Sequence, residues 1–546
     1  MATSEKPLEG DGGDPAGSDA DLIESLRDSP LGRFAAYFPP KAYPEPTWVF
    51  TRFFFLRFLG LIYFVAFFSL YNQLLPLLGS RGLLPVDRFL RAVELHFGGA
   101  GAAFAKLPTL FWLLGSSDGL LVAMALVGTV LSLLLLAGAT NAILQILLWA
   151  IYLSFVQVGQ IFYGYGWEML LLEAGFLSIF LCPLRSFGPF PKGSPPPVAV
   201  VWLFRWLAFR LMFGAGLIKI RGDECWRDLT CLLYHYETQP NPNPLSPFIH
   251  FLPPWFHKAG VLFNHLVELV VPFFVFGPRR ARHIAGVLLV GFQAFLIASG
   301  NLSFLNWLTV AVCIFCFDDS LLGRLVPAGL RAKALENVEA TPSRVRRGIL
   351  YALVIGVGML SLAPVMNMLS PGQAMNASFE PLHLVNTYGA FGSVGKERFE
   401  VILEGTESRE LDEKTEWRAF ELPCKPGDVA RPPCLISPYH YRLDWQMWFA
   451  AMSRIEEEPW LVHLIHKLLQ GDPGVRELFA KDPFGGRKPA FVRAELYRYE
   501  FARPGEGGGA WWRRSRAGTY LRPVALDDEE LVMYLRAQGL IGSGDL

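Results

Sequence analysis

Long apolar runs separated by short polar breaks occupy the chain from Phe53 to about Pro364. A helix needs about 20 apolar residues to cross the hydrocarbon core of a bilayer, and roughly nine segments approach that length. They lie near Phe53–Leu75, Gly119–Leu136, Ala142–Ile161, Trp167–Leu181, Val198–Ile220, Val261–Phe276, Ile284–Ser299, Leu302–Phe317 and Ile349–Leu362. The fourth, sixth and eighth are short or interrupted, which widens the prediction to roughly seven to ten spans. The sequence thus predicts a polytopic α-helical membrane domain over residues 46–368.

The composition agrees with a membrane domain and excludes some partners. Hydrophobic residues make up 52% of the 546 residues and charged residues only 18%, so the mean hydropathy is positive, which is unusual for a soluble protein of this size. Because the formal net charge is zero, no overall field favours nucleic acid as a partner.

The basic residues predict the orientation of the chain in the membrane. Residues 1–45 have the composition of a disordered tail. A cleavable signal peptide would show basic residues followed at once by an apolar stretch, and this pattern is missing. With nine spans, every basic cluster falls on the side of this tail, as expected for cytoplasmic segments. The clusters are Lys41/Arg52, Arg185/Lys192, Arg279/Arg280/Arg282 and Arg331/Lys333/Arg344/Arg346/Arg347. The C-terminal part is therefore predicted to face the secretory lumen or the periplasm.

Residues 369–525 have a different pattern, typical of a soluble β-rich domain. Alternation of apolar and polar residues predicts strands at 398–405, 417–422 and 491–499. Between them, 445–452 and 460–469 have helical patterns, which indicates a helical insertion in a sheet. Residues 526–546 are assigned to a C-terminal tail.

The cysteines divide by predicted compartment. Cys313 and Cys316 lie within an apolar helix and are expected to pack there, since a redox C-x-x-C needs a partly exposed, electropositive setting. Two other pairs fall on the predicted non-cytoplasmic side, where an oxidising compartment permits bridges. The Pro-rich spacer between Cys424 and Cys434 favours a turn and makes this pair the disulfide candidate; a bridge between Cys225 and Cys231 is also possible.

Several blocks of the sequence are distinctive. They are GYGWE at 164–168 with Leu172–Glu173, GAGLIKIRGD at 214–223, CWRDLT at 225–230, YHYETQP at 234–240, SGNLSFLNW at 299–307, YGAFG at 388–392 and SPYHYRLDW at 437–445. Together these blocks resemble the lipase maturation factor family. The resemblance implies a multi-pass factor of the endoplasmic reticulum membrane that helps secreted lipases reach their folded, active and assembled form. The family is in turn distantly similar to the membrane portion of vitamin K-dependent γ-carboxylases.

The amino-acid usage leaves the location open. Arg outnumbers Lys, and Ala, Gly and Pro are frequent, which fits a GC-rich genome that could be bacterial. We therefore expect the endoplasmic reticulum membrane in a eukaryote and the plasma (inner) membrane in a bacterium. The fold implied by the resemblance is expected in either kind of organism, whereas the lipase client is not expected in a bacterium.

Lys219 is the candidate catalytic residue. The distant carboxylase resemblance places a lysine base at this position, and a desolvated lysine can abstract a proton. The favoured alternative is that Lys219 extends to the membrane interface beside Arg221 and Asp223.

Other polar residues within the predicted spans form a candidate intramembrane network: Glu168, Glu173, His265, Glu268, Asn301 and Asn306. Carboxylates are costly in a membrane, so structural ion pairs are expected for Glu168 and Glu173. His265 and Glu268 share one helical face but lack the further ligands of a metal site, so interhelical hydrogen bonding is expected instead.

The loop containing His235, Tyr236, Glu237 and Gln239 is the candidate client-binding surface, since it is too polar for lipid and too aromatic for a linker. No phosphate loop, nucleophile elbow or H-E-x-x-H motif occurs in a suitable context. No metal or cofactor is expected, and an enzymatic role is less favoured though not excluded.

Three classes of function remain open: a maturation factor that binds secreted clients, with lipases as candidates; a carboxylase-like enzyme that uses Lys219; and a transporter. The last lacks the internal repeat or paired broken helices expected of that class. Secreted clients and membrane lipid are the expected partners.

Overall fold

A computed structural model of the protein describes residues 47–336, 343–503, 505 and 508–542. The predicted disordered tail at 1–45 lies outside the described residues. From Trp48 onward the chain forms one structural unit, which contains a helical bundle followed by a C-terminal domain with a small sheet.

Nine helices build the bundle, one at each segment that the apolar pattern predicts. They are α1 Val49–Leu78, α2 Asp118–Ala137, α3 Ala142–Val158, α4 Gly166–Leu181, α5 Val198–Arg221, α6 Pro254–His265, α7 Arg279–Ser299, α8 Leu305–Cys313 and α9 Arg344–Leu360. Helix α6 continues through a π-helical turn, Leu266–Val270, and a 3₁₀ segment, Val271–Phe276. Shorter helices lie at Val86–Phe97, Ala100–Lys106, Leu232–Thr238, Ser246–His250, Ala328–Leu335 and Leu362–Leu369.

The number of membrane spans is lower than predicted when each helix is judged by length and composition. Six helices of the described chain qualify, and a seventh does if α8 is joined to the segment after it across a bend of 100°. Helices α3 and α4 contain only 17 and 16 residues, or about 25 Å at 1.5 Å per residue, less than the roughly 30 Å of hydrocarbon core. The predicted count of nine is therefore not confirmed, and a multi-pass helical membrane domain is what the structure supports.

Helix α4 lies at the centre of the bundle, and its Leu170, Leu171 and Leu172 are completely buried. Helices α1 and α2 approach each other closely at Gly60, where a Cβ atom would lie 2.7 Å from the backbone nitrogen of Leu136. Such close backbone contact at a small residue is a common way for helices to associate in a membrane.

The C-terminal domain contains one antiparallel four-stranded sheet of order β2-β1-β3-β4. The strands are β1 Arg398–Thr406, β2 Arg418–Ala419, β3 Phe491–Phe501 and β4 Trp512–Val524. Helices α10 Arg442–Ala450 and α11 Pro459–Gln470 lie between β2 and β3 in the chain, as the sequence predicts.

Three features of this domain differ from the sequence prediction. Strand β2 has two residues rather than six. Strand β4 was not predicted, since as an edge strand its alternation is masked by exposed arginines. The segment assigned to a tail contains helix α12, Glu529–Ala537, in which Leu535 is completely buried.

Hydrogen bonds show at which of the two ends of the bundle each connecting segment lies. At one end the C-terminal domain contacts the ends or connections that follow α1, α3, α5 and α7, through Gln73–His440, Gln446–Ile161, Arg398–Glu237 and Asn301–Cys434. At the other end, the start of α1 contacts the connections that follow α2, α4 and α8, through Arg57–Ala139, Arg52–Ser194 and Val49–Asp319. Alternate connections thus lie at opposite ends.

Candidate functional site at the junction of the bundle and the C-terminal domain

Glu168 and Arg442 form an ion pair between the bundle and the C-terminal domain. Arg442 Nη1 lies 2.8 Å from Glu168 Oε1, and neither side chain is exposed. Arg442 also donates to the carbonyl of Phe162 at 2.6 Å, while Glu168 accepts from the Tyr152 hydroxyl and from Trp167 Nε1 at 3.0 Å. The cost of burying both charges is offset because each finds several partners.

A second buried carboxylate, Glu173, lies further along α4. It pairs with Arg210 of α5 and accepts from the Tyr388 hydroxyl at 2.8 Å and the Asn386 backbone nitrogen at 3.0 Å. Arg210 also donates to the carbonyl of Asn386 at 2.6 Å. This cluster therefore fastens the segment before β1 to the interior of the bundle. Both glutamates are members of structural ion pairs, and each points to a different partner.

The structure buries Lys219, so its side chain does not extend to the surface of the protein. Its Nζ lies 2.5 Å from Glu268 Oε1 and 3.2 Å from Asn264 Oδ1, and the side chain is 7% exposed. The indole of Trp226 lies 5.2 Å away. An ammonium group buried inside the protein requires a carboxylate partner, which the π-helical turn at Leu266–Val270 presents.

His265, Asn301 and Asn306 serve three separate hydrogen-bonding roles. The ring of His265 contacts the Trp226 carbonyl at 3.0 Å rather than Glu268. Asn301 donates to the Cys434 carbonyl at 2.8 Å and so bridges to the C-terminal domain. Asn306 donates to Gln293 Oε1 at 2.7 Å within the bundle. The six polar residues predicted as one network therefore belong to several clusters.

The predicted client-binding loop is packed inside the junction and is not an exposed surface. His235, Tyr236 and Gln239 are 7%, 2% and 2% exposed. Burial lowers the pKa of His235 to about 4, so this ring is neutral at physiological pH. His235 packs against Phe391, and Tyr236 lies beside His257. Gln239 donates to the Ser299 carbonyl, so neighbouring connections and helix ends bury these side chains.

The sheet holds this loop mainly through Arg398. Its guanidinium donates to the carbonyls of Glu237 and Gln239 at 2.8 and 2.5 Å, and Glu237 in turn accepts from the Phe501 backbone nitrogen at 2.7 Å. The hydrogen-bonding groups of a polar, aromatic loop can thus find partners in a neighbouring domain as fully as in a client.

Both cysteine pairs suggested by the sequence are bridged in the structure, Cys225 to Cys231 and Cys424 to Cys434. The three remaining cysteines, Cys182, Cys313 and Cys316, are free and buried. The first bridge lies in the connection after α5 and the second in the C-terminal domain, so both occupy the same end of the bundle.

Sequence reasoning did not identify the partners of the buried acids. Arg210 carries a visible signal, since an arginine inside an apolar helix is unusual. Arg442 and Arg398 carry none, because arginine is ordinary in a soluble domain. Among the described residues no cluster of three or more His, Cys, Asp or Glu could hold a metal ion.

Comparison with known proteins assigns the chain to a family. Residues 50–324 match the model described as the lipase maturation factor transmembrane domain, and residues 384–522 match the lipase maturation factor C-terminal domain. The chain belongs to the lipase maturation factor family. It is similar to lipase maturation factor 1 of Bos taurus, at 50% identity over 501 residues, which cover 88% of this chain and 89% of the relative.

Two human relatives show two degrees of similarity to this chain within the lipase maturation factor family. Lipase maturation factor 1 of Homo sapiens is 48% identical over 530 residues, 93% of each chain. Lipase maturation factor 2 of Homo sapiens is 32% identical over 606 aligned positions, 89% of this chain and 84% of the relative. No solved structure matches. The ion pair between Glu168 and Arg442 thus joins the two domains that define the family.

Proposed function

We propose that this membrane protein assists the folding, assembly or activation of secreted lipases, as the names of its relatives indicate for them. The observation that carries the proposal is that both family domains are present and fastened together by buried ion pairs. The C-terminal domain is therefore held rigidly on the membrane bundle, where it can bind a client.

We further propose that the C-terminal domain faces the lumen of the endoplasmic reticulum. The distribution of cysteines supports this orientation, because disulfides persist in oxidising compartments. Both bridges lie at the end of the bundle that carries the C-terminal domain. Cys182, which follows α4 at the opposite end, is free. Nascent secreted proteins fold in that lumen, and membrane lipid surrounds the bundle.

The carboxylase-like alternative has no support in the geometry. A catalytic base must offer a lone pair to its substrate, whereas the Lys219 ammonium is held by Glu268 and Asn264. Within the described chain both carboxylates of α4 are also committed to arginines.

The proposed function is tested by co-expressing a secreted lipase in cells that lack their own lipase maturation factors. We expect this chain to raise the specific activity of the secreted lipase, while a secreted protein unrelated to lipases is unaffected. Equal lipase activity with and without the chain would refute the proposal, and an equal effect on both secreted proteins would reduce it to a general folding factor.

A further inference from the structure

A cavity of about 320 Å³ lies in the C-terminal domain beside the outer edge of β1. Strand β2 pairs with β1 only at Glu404 and Gly405. Along the neighbouring stretch, residues 400–403, the edge of β1 borders the cavity instead. The disulfide-closed segment that begins at Cys424 forms the opposite wall with residues 425–429.

The edge of β1 that borders the cavity is buried, and in the described part of the chain it carries an unused pair of backbone hydrogen-bonding groups. The carbonyl of Leu403 accepts from the Phe420 nitrogen at 2.9 Å, which shows that residue 403 presents its backbone to this edge. In an antiparallel strand every second residue does so, and Val401 therefore presents its N–H and C=O to the cavity. No hydrogen bond on this edge reaches Val401 from the described part of the chain.

A buried ammonium also lines the cavity. Lys425 is 2% exposed and its Nζ lies 2.9 Å from Glu400 Oε2, which leaves at least one of the three donors of an ammonium without an acceptor in the described chain. Burial lowers the pKa of Lys425 to about 8, although Glu400 opposes this shift. A group in this state gains from any further acceptor that enters the cavity.

The other walls are mostly apolar, with Leu403, Phe420, Met447 and Phe479 among them. Exposed Asp428 and Arg514 stand among the lining residues and mark the mouth. The cavity thus has an open strand edge and an apolar wall, the two elements that bind extended peptides by strand addition. The Lys425 ammonium adds a hydrogen-bond donor beside them.

We propose that this cavity binds an extended polypeptide segment of the client, which continues β2 along the edge of β1 at Val401. The segment places an apolar side chain against Phe420 and Phe479 and an acceptor oxygen near Lys425. A stretch of about three residues, roughly 10 Å long, matches the open edge at residues 400–402. This assignment rests on the proposed function and adds to it the site and the conformation of the bound client.

Site-specific photo-crosslinking tests the proposal in the full-length protein in its membrane. A benzophenone amino acid replaces the exposed Asp428 while a secreted lipase is co-expressed, and adducts are identified by mass spectrometry. We expect adducts with the lipase polypeptide. Adducts with lipid alone, or none, would overturn the proposal.

A pair of glycine variants provides the functional arm. A Cβ on Gly427 would lie 3.7 Å from Glu421 Cγ, an ordinary contact at the mouth of the cavity, so Gly427→Phe should fold and obstruct entry. We expect roughly tenfold weaker crosslinking, since about 1.4 kcal/mol is a factor of ten, and a matching loss of lipase activity. Gly395→Phe, at an exposed glycine outside the cavity lining, is the matched control.

The two proposals fail in distinguishable ways. In one outcome, lipase maturation requires the protein, and the Gly427→Phe variant, at the same abundance as the wild type, supports it normally. This outcome would refute peptide binding in the cavity and leave the proposed function intact. Lipase that matures equally without the protein would refute the proposed function and, with it, the role of this cavity.

Discussion

Arg442 of the C-terminal domain lies 2.8 Å from Glu168 of the bundle, although 274 residues separate them in the chain. Both side chains are fully buried, and the guanidinium also stacks 3.4 Å from the ring of Tyr163. Because an arginine of one family domain neutralises a carboxylate of the other, neither domain can retain its native interior without its partner.

Removal of either partner of this ion pair should destabilise the whole protein. Loss of one member of a buried pair costs about 3–5 kcal/mol, whereas replacing both with apolar groups of similar volume is often neutral. We therefore expect Arg442→Met and Glu168→Leu each to lower the abundance of folded protein, and the combination of the two substitutions to recover part of it. Thermal unfolding in detergent measures the effect. Additive losses in the combined variant would contradict the pairing.

Lys219 variants separate a structural charge from a catalytic base. Lys219→Arg keeps the positive charge beside Glu268, so we expect a folded protein with most of its lipase maturation activity. Lys219→Met leaves the buried Glu268 without a cationic partner, although Asn264 still donates to it. The variant should lose about 3 kcal/mol of stability or more and be less abundant. Because arginine cannot accept a proton at physiological pH, complete loss of activity in abundant Lys219→Arg would instead indicate a catalytic base.

The sequence predicts the positions of the helices well, because long apolar runs and their breaks are local properties. It also predicts that Glu168 and Glu173 need partners, since carboxylates are costly in an apolar setting. It cannot name those partners, because hydrophobic periodicity contains no information about which distant arginine approaches a given helix. Arg442 lies in a helix that would be unremarkable on any soluble protein.

The loop at His235 shows what composition leaves open. Its mixture of polar and aromatic residues is equally consistent with a binding surface and with the interior of a domain junction. In the structure the loop is packed at the junction, where Arg398 donates to the backbone carbonyls of Glu237 and Gln239. The sequence does not predict the cavity beside Val401, because the cavity forms where β2 stops after two residues and leaves the edge of β1 without a partner strand.

The two disulfides should be present in the protein made in its native compartment. Mass spectrometry of the unreduced protein should find Cys225 joined to Cys231 and Cys424 joined to Cys434, with Cys182, Cys313 and Cys316 free. Closing a loop of about ten residues stabilises a protein by about 2–4 kcal/mol in the chain-entropy description. The double variant Cys424→Ser/Cys434→Ser should therefore unfold at lower temperature, and free thiols at these positions in the native protein would contradict the bridge.

The start of α1 and the C-terminal domain should lie on opposite sides of the membrane, because alternate connections of the bundle lie at opposite ends and the C-terminal domain occupies only one of them. A glycosylation acceptor tag appended after Leu546 should be modified in microsomes, and the same tag before Met1 should not. The two fusions control for each other. Modification of the N-terminal tag alone, or of both tags, would contradict this orientation.

Asp444 should make the stability of the C-terminal domain depend on pH. Its carboxylate is fully buried, and it accepts from the backbone nitrogens of Cys424 and Lys425 at 2.7 and 3.1 Å. Burial raises its pKa from 3.8 to about 7 despite these hydrogen bonds. In the unfolded chain the group ionises near pH 4, so between pH 4 and 7 the folded state binds more protons than the unfolded state. The contribution of Asp444 to stability therefore falls as pH rises through this window.

The variant Asp444→Asn isolates this contribution, because an amide oxygen can accept the same two backbone hydrogen bonds without ionising. The pKa values of buried histidines such as His235 also change on unfolding. These histidines are present in both the wild type and the variant, so their effect cancels in the difference between the two free energies of unfolding. From pH 5 to pH 8 we expect the variant to gain roughly 3 kcal/mol relative to the wild type. Thermal unfolding of both proteins across this range measures the gain. A constant difference in stability would show that Asp444 is ionised in the folded protein throughout, and that its neighbours Lys425 and Arg431 outweigh the effect of burial.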